Sequence, residues 1–293
     1  MKYLTSLALR HTSSFTDYIV LMKPELTLLS VSTAVGSAYI ALQGSAHYVL
    51  LVHTLIGTIL IGGTAGTLNQ YFERRYDAMM KRTERRPLPA GRIQPVDALI
   101  FAVVIGIAGV TYLALLTNWV AVTLSIITLV SYLALYTPLK RVTPFATVVG
   151  GIPGALPPLI GWAVVQGKLP LEAWSLFLIL FFWQMPHFLS LAWMFRNDYA
   201  RAGFRLLTVL DADGTATRLQ ILVYALALIP ASLMPVFVGM TNTTYLICAL
   251  FLNLGFLSAA IYFYRARTNA AAHTLFYTSI CFLPALFLLL MVL

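Results

Sequence analysis

"NQYFERRYDAMMKRTERRPLPAGR" runs from Asn69 to Arg92 and marks the place where an apolar helix ends and charge begins. It holds seven of the 19 Lys/Arg (Arg74, Arg75, Lys81, Arg82, Arg85, Arg86 and Arg92) and three of the ten Asp/Glu (Glu73, Asp77 and Glu84). The surrounding chain is of a different kind. Of its 293 residues 60% are hydrophobic and only 10% charged, whereas an average soluble domain is about 45–50% apolar and about 25% charged. Apolar runs recur to the end of the chain, which predicts a polytopic membrane protein. The fold expected is all-α, a single transmembrane domain over 1–293 with a short cytoplasmic N-terminal tail to about residue 18.

Working outward from Asn69, a bilayer core of about 30 Å needs about 20 apolar residues in helical form. Nine segments qualify: roughly 26–44, 48–70, 96–116, 119–136, 144–164, 172–195, 219–239, 244–264 and 271–292. Short connectors alternate with charged ones. With the N-terminus and the charged connectors on one side, eighteen of the nineteen basic residues fall there and only Lys168 lies opposite. The positive-inside rule makes that side cytoplasmic, and nine crossings put the C-terminus outside. This topogenic bias accounts for much of the +9 net charge. A nucleic-acid surface is excluded because the charges sit in short juxtamembrane connectors. "MKYLTSLALRHTSSF" (1–15) is neither Arg-rich nor long enough for a transit peptide, which favours a bacterial inner membrane. Cys248 and Cys281 lie in apolar runs without metal-type spacing, so neither a disulfide nor a zinc site is expected.

Asn69, Glu73 and Asp77 are spaced i, i+4, i+8 and share one helical stripe at the cytoplasmic end of the second span. Such oxygen donors suit Mg²⁺, which binds one or two carboxylates together with phosphate oxygens. The same spacing allows a plainer reading, in which Asp77 and Lys81 form an intrahelical pair worth roughly 0.2–0.5 kcal/mol. Arg82, Arg85 and Arg86 follow at once, and prolines then stop the helix. Acids for a cation beside guanidiniums for oxyanions point to a diphosphate–metal ligand.

N-x-x-x-(D/E)-x-x-x-D followed by M-x-R-T-x-x-R-P-L resembles the first signature of the UbiA-type intramembrane prenyltransferases, and the extended stretch resembles their haem-farnesylating branch. Three further stretches agree in order: "YTPLKRVTPFATVVGGIPGALPPLIGW" (136–162), "WQMPHFLSLAW" (183–193) and "NDYARAGFRLL" (197–207). The resemblance spans about residues 20–290. It implies a nine-helix UbiA-type bundle that transfers a farnesyl group from farnesyl diphosphate to a vinyl group of haem B, with water added, giving haem O and diphosphate. It also implies a haem A synthase or terminal oxidase assembly downstream. Glu73 departs from the Asp of many members but keeps the charge and the oxygen donors.

The resemblance further assigns Lys140 and Arg141 to phosphate contact, together with Arg82, Arg85 and Arg86, where topogenic charge alone would also explain them. His187, in the most aromatic part of the chain beside Trp183, becomes a haem-facing candidate, as ligand or as base; a buried structural histidine is the plainer reading. Asp198 is the candidate for a second metal site, where relatives outside the haem branch carry a fuller acidic motif. Asp211 and Asp213 fit an Asp–Gly turn. Gly150, Gly151, Pro153, Gly154, Pro157 and Pro158 predict a kinked or broken helix facing a cavity. Three other readings stay open: a quinone-precursor acceptor for the same donor chemistry, a transporter of anionic or phosphorylated solutes, and a scaffold that merely holds haem.

Overall fold

The computed structural model describes residues 14–293; the expected tail falls mainly on residues 1–13, outside that range. Thirteen α-helices and one π-helical segment account for the architecture, and no strand occurs among the described residues. In chain order they are α1 (Phe15–Leu21), α2 (Pro24–Ala41), α3 (Val49–Asp77), α4 (Pro95–Leu116), α5 (Trp119–Val130), the π segment (Ser131–Tyr136), α6 (Thr137–Leu139), α7 (Ala146–Gln166), α8 (Leu171–Met194), α9 (Arg196–Arg201), α10 (Leu207–Leu210), α11 (Thr215–Phe237), α12 (Thr243–Ala266) and α13 (Asn269–Val292).

Eight of these helices, counting α5 to α6 as one, are long and apolar enough to cross a membrane. A ninth crossing is a bent pair, α1 and α2, which meet at 60°. The bend has a local cause. Lys23 adopts a left-handed backbone (φ 51°), and Pro24 opens α2 from the first-turn position that proline tolerates. Residues 15–18 of the expected tail are therefore helix. Predicted ends move as well: α3 stays helical through Asp77, the fourth predicted span runs on to Leu139, α11 starts at Thr215 rather than 219, and α2 stops at Ala41 rather than 44.

The core lies along α7 and α8. Two thirds of their apolar windows are buried, against 17% for the lipid-facing α4. Trp162 and Trp183 are buried there with Phe256, Phe263 and Phe282. Water gives no drive for helix association inside lipid, so close backbone approach takes its place. Gly161 is an instance: a Cβ there would fall 1.9 Å from the Ala34 carbonyl oxygen of α2. Despite Pro153, Pro157 and Pro158, α7 is one continuous helix rather than a broken one. Side chains from both neighbours bond to its carbonyls, Ser37 to Pro158 at 2.7 Å and Gln184 to Gly151 at 2.7 Å.

Two small apolar clusters at the charged end hold the connectors in place. Met80, Ala146, Ala192, Phe204 and Leu206 join the segments after α3, α6 and α8. Leu21, Leu88, Ile93 and Ala98 clamp the 78–94 connector against α1. Asp17 pairs with Arg92 at 2.8 Å across the same contact.

Candidate active site

The last turns of α3 point inward, and the three predicted donors are buried on one face: Asn69, Glu73 and Asp77. Buried carboxylates are costly unless paired, and each polar group on this stripe meets a base. Lys23 Nζ donates to Asn69 Oδ1 at 2.5 Å. Lys140 Nζ lies 2.5 Å from Glu73 Oε1. Arg86 Nη1 lies 2.8 Å from Asp77 Oδ2. The plainer intrahelical pairing of Asp77 with Lys81 is thus replaced by a partner nine residues on.

Lys140 is the most enclosed of these bases. Its ammonium sits 4.7 Å from the Tyr136 ring centroid and 5.7 Å from that of Phe204. Its carbonyl accepts the Arg205 N–H at 2.8 Å, which ties the two connectors together. Burial alone would pull the ammonium down; the neighbouring Glu73 carboxylate outweighs it and holds Lys140 above the usual lysine range. It is a fixed positive charge.

Asp198 arrives from the connector after α8. It accepts the Arg82 N–H at 3.3 Å and the Arg201 guanidinium at 2.7 Å. The Arg82 side chain donates to the Tyr199 hydroxyl at 3.2 Å and lies 5.1 Å from the Phe195 ring. Arg141 bonds to the Tyr76 hydroxyl and covers that ring at 4.5 Å. Arg85 is exposed, and its carbonyl accepts from Arg92. Asp211 and Asp213 are spent on the start of α11, accepting the Thr217 and Thr215 N–H groups at 2.7 and 3.4 Å.

Beneath this cluster an apolar cavity of about 190 Å³ runs into the bundle. Lys23, Tyr132 and Tyr136 line it, and Ile160, Leu180 and Trp183 line it further along the helices. Gly150 makes room for the Tyr136 ring, which a Cβ there would meet at 2.5 Å. His187 does not line the cavity. Its ring is stacked between Trp183 (4.9 Å) and Phe276 (4.8 Å), and Nδ1 pairs with Ser279 Oγ at 2.7 Å. The structure thus places His187 in the α8–α13 contact, while Trp183 lines the cavity and also donates its N–H to the Ser279 carbonyl at 2.9 Å.

No three His, Cys, Asp or Glu side chains come together as a metal group among the described residues, so Asp198 does not join Glu73 and Asp77 directly. The α3 stripe nevertheless offers what Mg²⁺ takes: two carboxylates and an amide oxygen, all hard donors, with room for phosphate oxygens as the rest. The donor set fits that ion. Sequence reasoning missed Lys23 and Thr137, whose hydroxyl accepts from Asn69 Nδ2 at 3.0 Å. A lone base heading an apolar helix was the available signal for Lys23; Thr137 has none in local spacing.

Comparison with known proteins agrees with this geometry. The UbiA prenyltransferase family matches residues 29–290. A protoheme IX farnesyltransferase of Solibacter usitatus (strain Ellin6076) is 45% identical over 280 residues, which is 92% of this chain and 96% of the relative. One from Salinibacter ruber (strain DSM 13855 / M31) is 41% identical, covering 94% of this chain and 98% of its own. Among solved structures, a digeranylgeranylglyceryl phosphate synthase superposes with a TM-score of 0.78 at 16% identity, over 94% of this chain and 97% of that one. A UbiA homolog from Archaeoglobus fulgidus, bound to GPP and Mg²⁺, gives 0.66 at 13% identity over 94% and 99%.

Proposed function

The chain belongs to the UbiA prenyltransferase family, and from that premise we propose that it transfers a farnesyl group from farnesyl diphosphate to a vinyl group of haem B, with addition of water, giving haem O and diphosphate. The observation that carries the reading is the buried stripe of Asn69, Glu73 and Asp77, matched by Lys23, Lys140 and Arg86 at the head of an apolar cavity.

The chemistry follows from what these groups do to charge. As the allylic C–O bond breaks, negative charge collects on the leaving diphosphate. Lys140 and Arg86 already touch the α3 stripe, and Arg82 and Arg141 sit in the connectors at the same end of the bundle; all four would receive that charge when the ligand displaces their present partners. Asn69, Glu73 and Asp77, with Asp198 for a second ion, would hold Mg²⁺, which neutralises diphosphate oxygens. The farnesyl chain lies in the apolar cavity, whose walls keep stray water from the allylic cation. Tyr132, Tyr136 and Trp183 present aromatic faces there, which favour a cation. Haem B reaches the reacting carbon from the bilayer, and the product passes to haem A synthase or a terminal oxidase assembly. The membrane is a bacterial inner membrane, with the charged connectors cytoplasmic and the C-terminus outside, one domain throughout.

Purified chain, haem B, farnesyl diphosphate and Mg²⁺, followed by mass spectrometry, make the test. Farnesylated haem is the expected product. Its absence from folded protein that binds both substrates would sink the reading, and prenylation of an aromatic quinone precursor instead would reassign the acceptor.

A further inference from the structure

The π segment Ser131–Tyr136 ends against a proline, and the sequence supplies the reason. Pro138 has no N–H to give Ala134, and its ring crowds the carbonyl four residues back. A widened turn relieves that crowding, and such single-turn widenings gather at functional sites. Here the Thr137 N–H bonds to the Tyr132 carbonyl, five residues earlier. The Thr137 hydroxyl donates to the same carbonyl at 2.9 Å.

That second bond decides the rest. A threonine hydroxyl has one proton, and this one is committed to Tyr132, so only lone pairs remain for Asn69. They accept from Asn69 Nδ2 at 3.0 Å, which turns Oδ1 toward Lys23 Nζ at 2.5 Å. Lys23 and a metal ion would compete for that one oxygen. Once a cation holds Oδ1, Thr137 is the remaining partner that keeps the amide from rotating. A rotated Asn69 would present its NH₂, which has no lone pair to ligate.

We propose that Thr137 is a positioning residue for Asn69: the π turn orients its hydroxyl so that the Asn69 amide oxygen, and not its NH₂, faces the metal–diphosphate group. The inference rests on the reading above that Asn69 serves that group. It gives the widened turn a second part in the site, beside the Tyr132 and Tyr136 rings that line the cavity.

The test uses the full chain in detergent, with Mn²⁺ as a paramagnetic probe and inorganic diphosphate as co-ligand. Thr137→Val keeps the shape and loses both hydroxyl bonds; Thr137→Ser keeps them. Loss of an outer partner of a metal ligand costs about 10–100-fold in affinity. Thr137→Val is expected to weaken Mn²⁺ binding about tenfold by this measure, with Thr137→Ser near native. In an Asn69→Ala background, with no amide left to orient, Thr137→Val should add almost nothing, which a purely structural role would not produce. Thr137→Ala gives the same comparison if the valine variant unfolds. Equal losses for Val and Ser, or a Val penalty that persists without Asn69, overturn the inference alone. Native chain that binds no Mn²⁺ with diphosphate overturns the metal reading, and this inference with it.

Discussion

The connectors after α3 and after α8 follow the second and the sixth crossing, and both are rich in charge. They spend that charge differently. After α3 the helix itself carries the acids, and both are buried against bases that come from other segments or fold back. After α8 the acids serve mainly their own segment, with one reach across to the Arg82 N–H. Asp198 pairs with Arg201 three residues on, while Asp211 and Asp213 hold the first turn of α11. The first arrangement stores two desolvated carboxylates that gain from a bound cation. The second is largely the cost of starting a helix after a short helix and a turn. Counting charges would rank the two connectors as equals; burial and partner choice separate them.

Removing an acid from the buried stripe gives the largest expected effect. Asp77→Ala should lower turnover by at least about 10²–10³-fold, the scale seen when one preorganised charge-stabilising group is lost. Substrate-saturated formation of farnesylated haem, followed by mass spectrometry, reads it; unchanged turnover takes Asp77 out of the site. Next comes Lys140→Met, which strands Glu73. Breaking a buried pair from one side costs about 3–5 kcal/mol, so the thermal midpoint in detergent should fall clearly. Replacing both residues by apolar ones of similar size should restore much of it. A double variant no more stable than the single one would mean that the pair is not the source of the loss.

The connector after α8 should respond less. Asp198→Asn keeps an acceptor for the Arg82 N–H and gives up a pair with the half-exposed Arg201, an interaction of about 0–1 kcal/mol. Turnover is expected to fall less than in Asp77→Ala, because Asn keeps an oxygen donor for a second ion. A loss as deep as that of Asp77→Ala would erase the contrast between the two connectors. Asp211→Ala removes the acceptor of the Thr217 N–H in the first turn of α11 and should cost about 1 kcal/mol of stability, as loss of a capping acceptor does, with turnover near native.

How much of this was legible depends on how local each feature is. The stripe on α3 was readable because i, i+4, i+8 is a property of one helix. The apolar runs were readable for the same reason, and the missed ends are places where tertiary partners prolong a helix: buried Glu73 and Asp77 hold α3 in register past residue 70. The bend at Lys23–Pro24 was not read, because a proline at a helix start normally needs no bend at all. Lys23 and Thr137 could not be found by spacing. They reach Asn69 from positions 46 and 68 residues away in sequence, and such pairings exist only once the bundle packs. The proline-rich stretch does face the cavity as its composition predicts, and of the two expected forms, kinked or broken, the break does not occur, since α7 remains continuous.

His187 draws the same line between local composition and packing. Its neighbours in sequence are aromatic, which suits a haem pocket and a buried core equally. In the bundle the ring stacks on Trp183 and Phe276, its Nδ1 is occupied by Ser279, and it does not line the cavity, so haem iron would have to reach the remaining ring nitrogen, Nε2, by a route other than that cavity. His187→Phe retains the stack and gives up one hydrogen bond, worth roughly 0.5–1.5 kcal/mol. The optical spectrum of haem added to this variant is expected to match that of native chain, with turnover within a few-fold. A shifted haem spectrum would show instead that the iron meets this ring, and would make the α8–α13 contact part of the acceptor site.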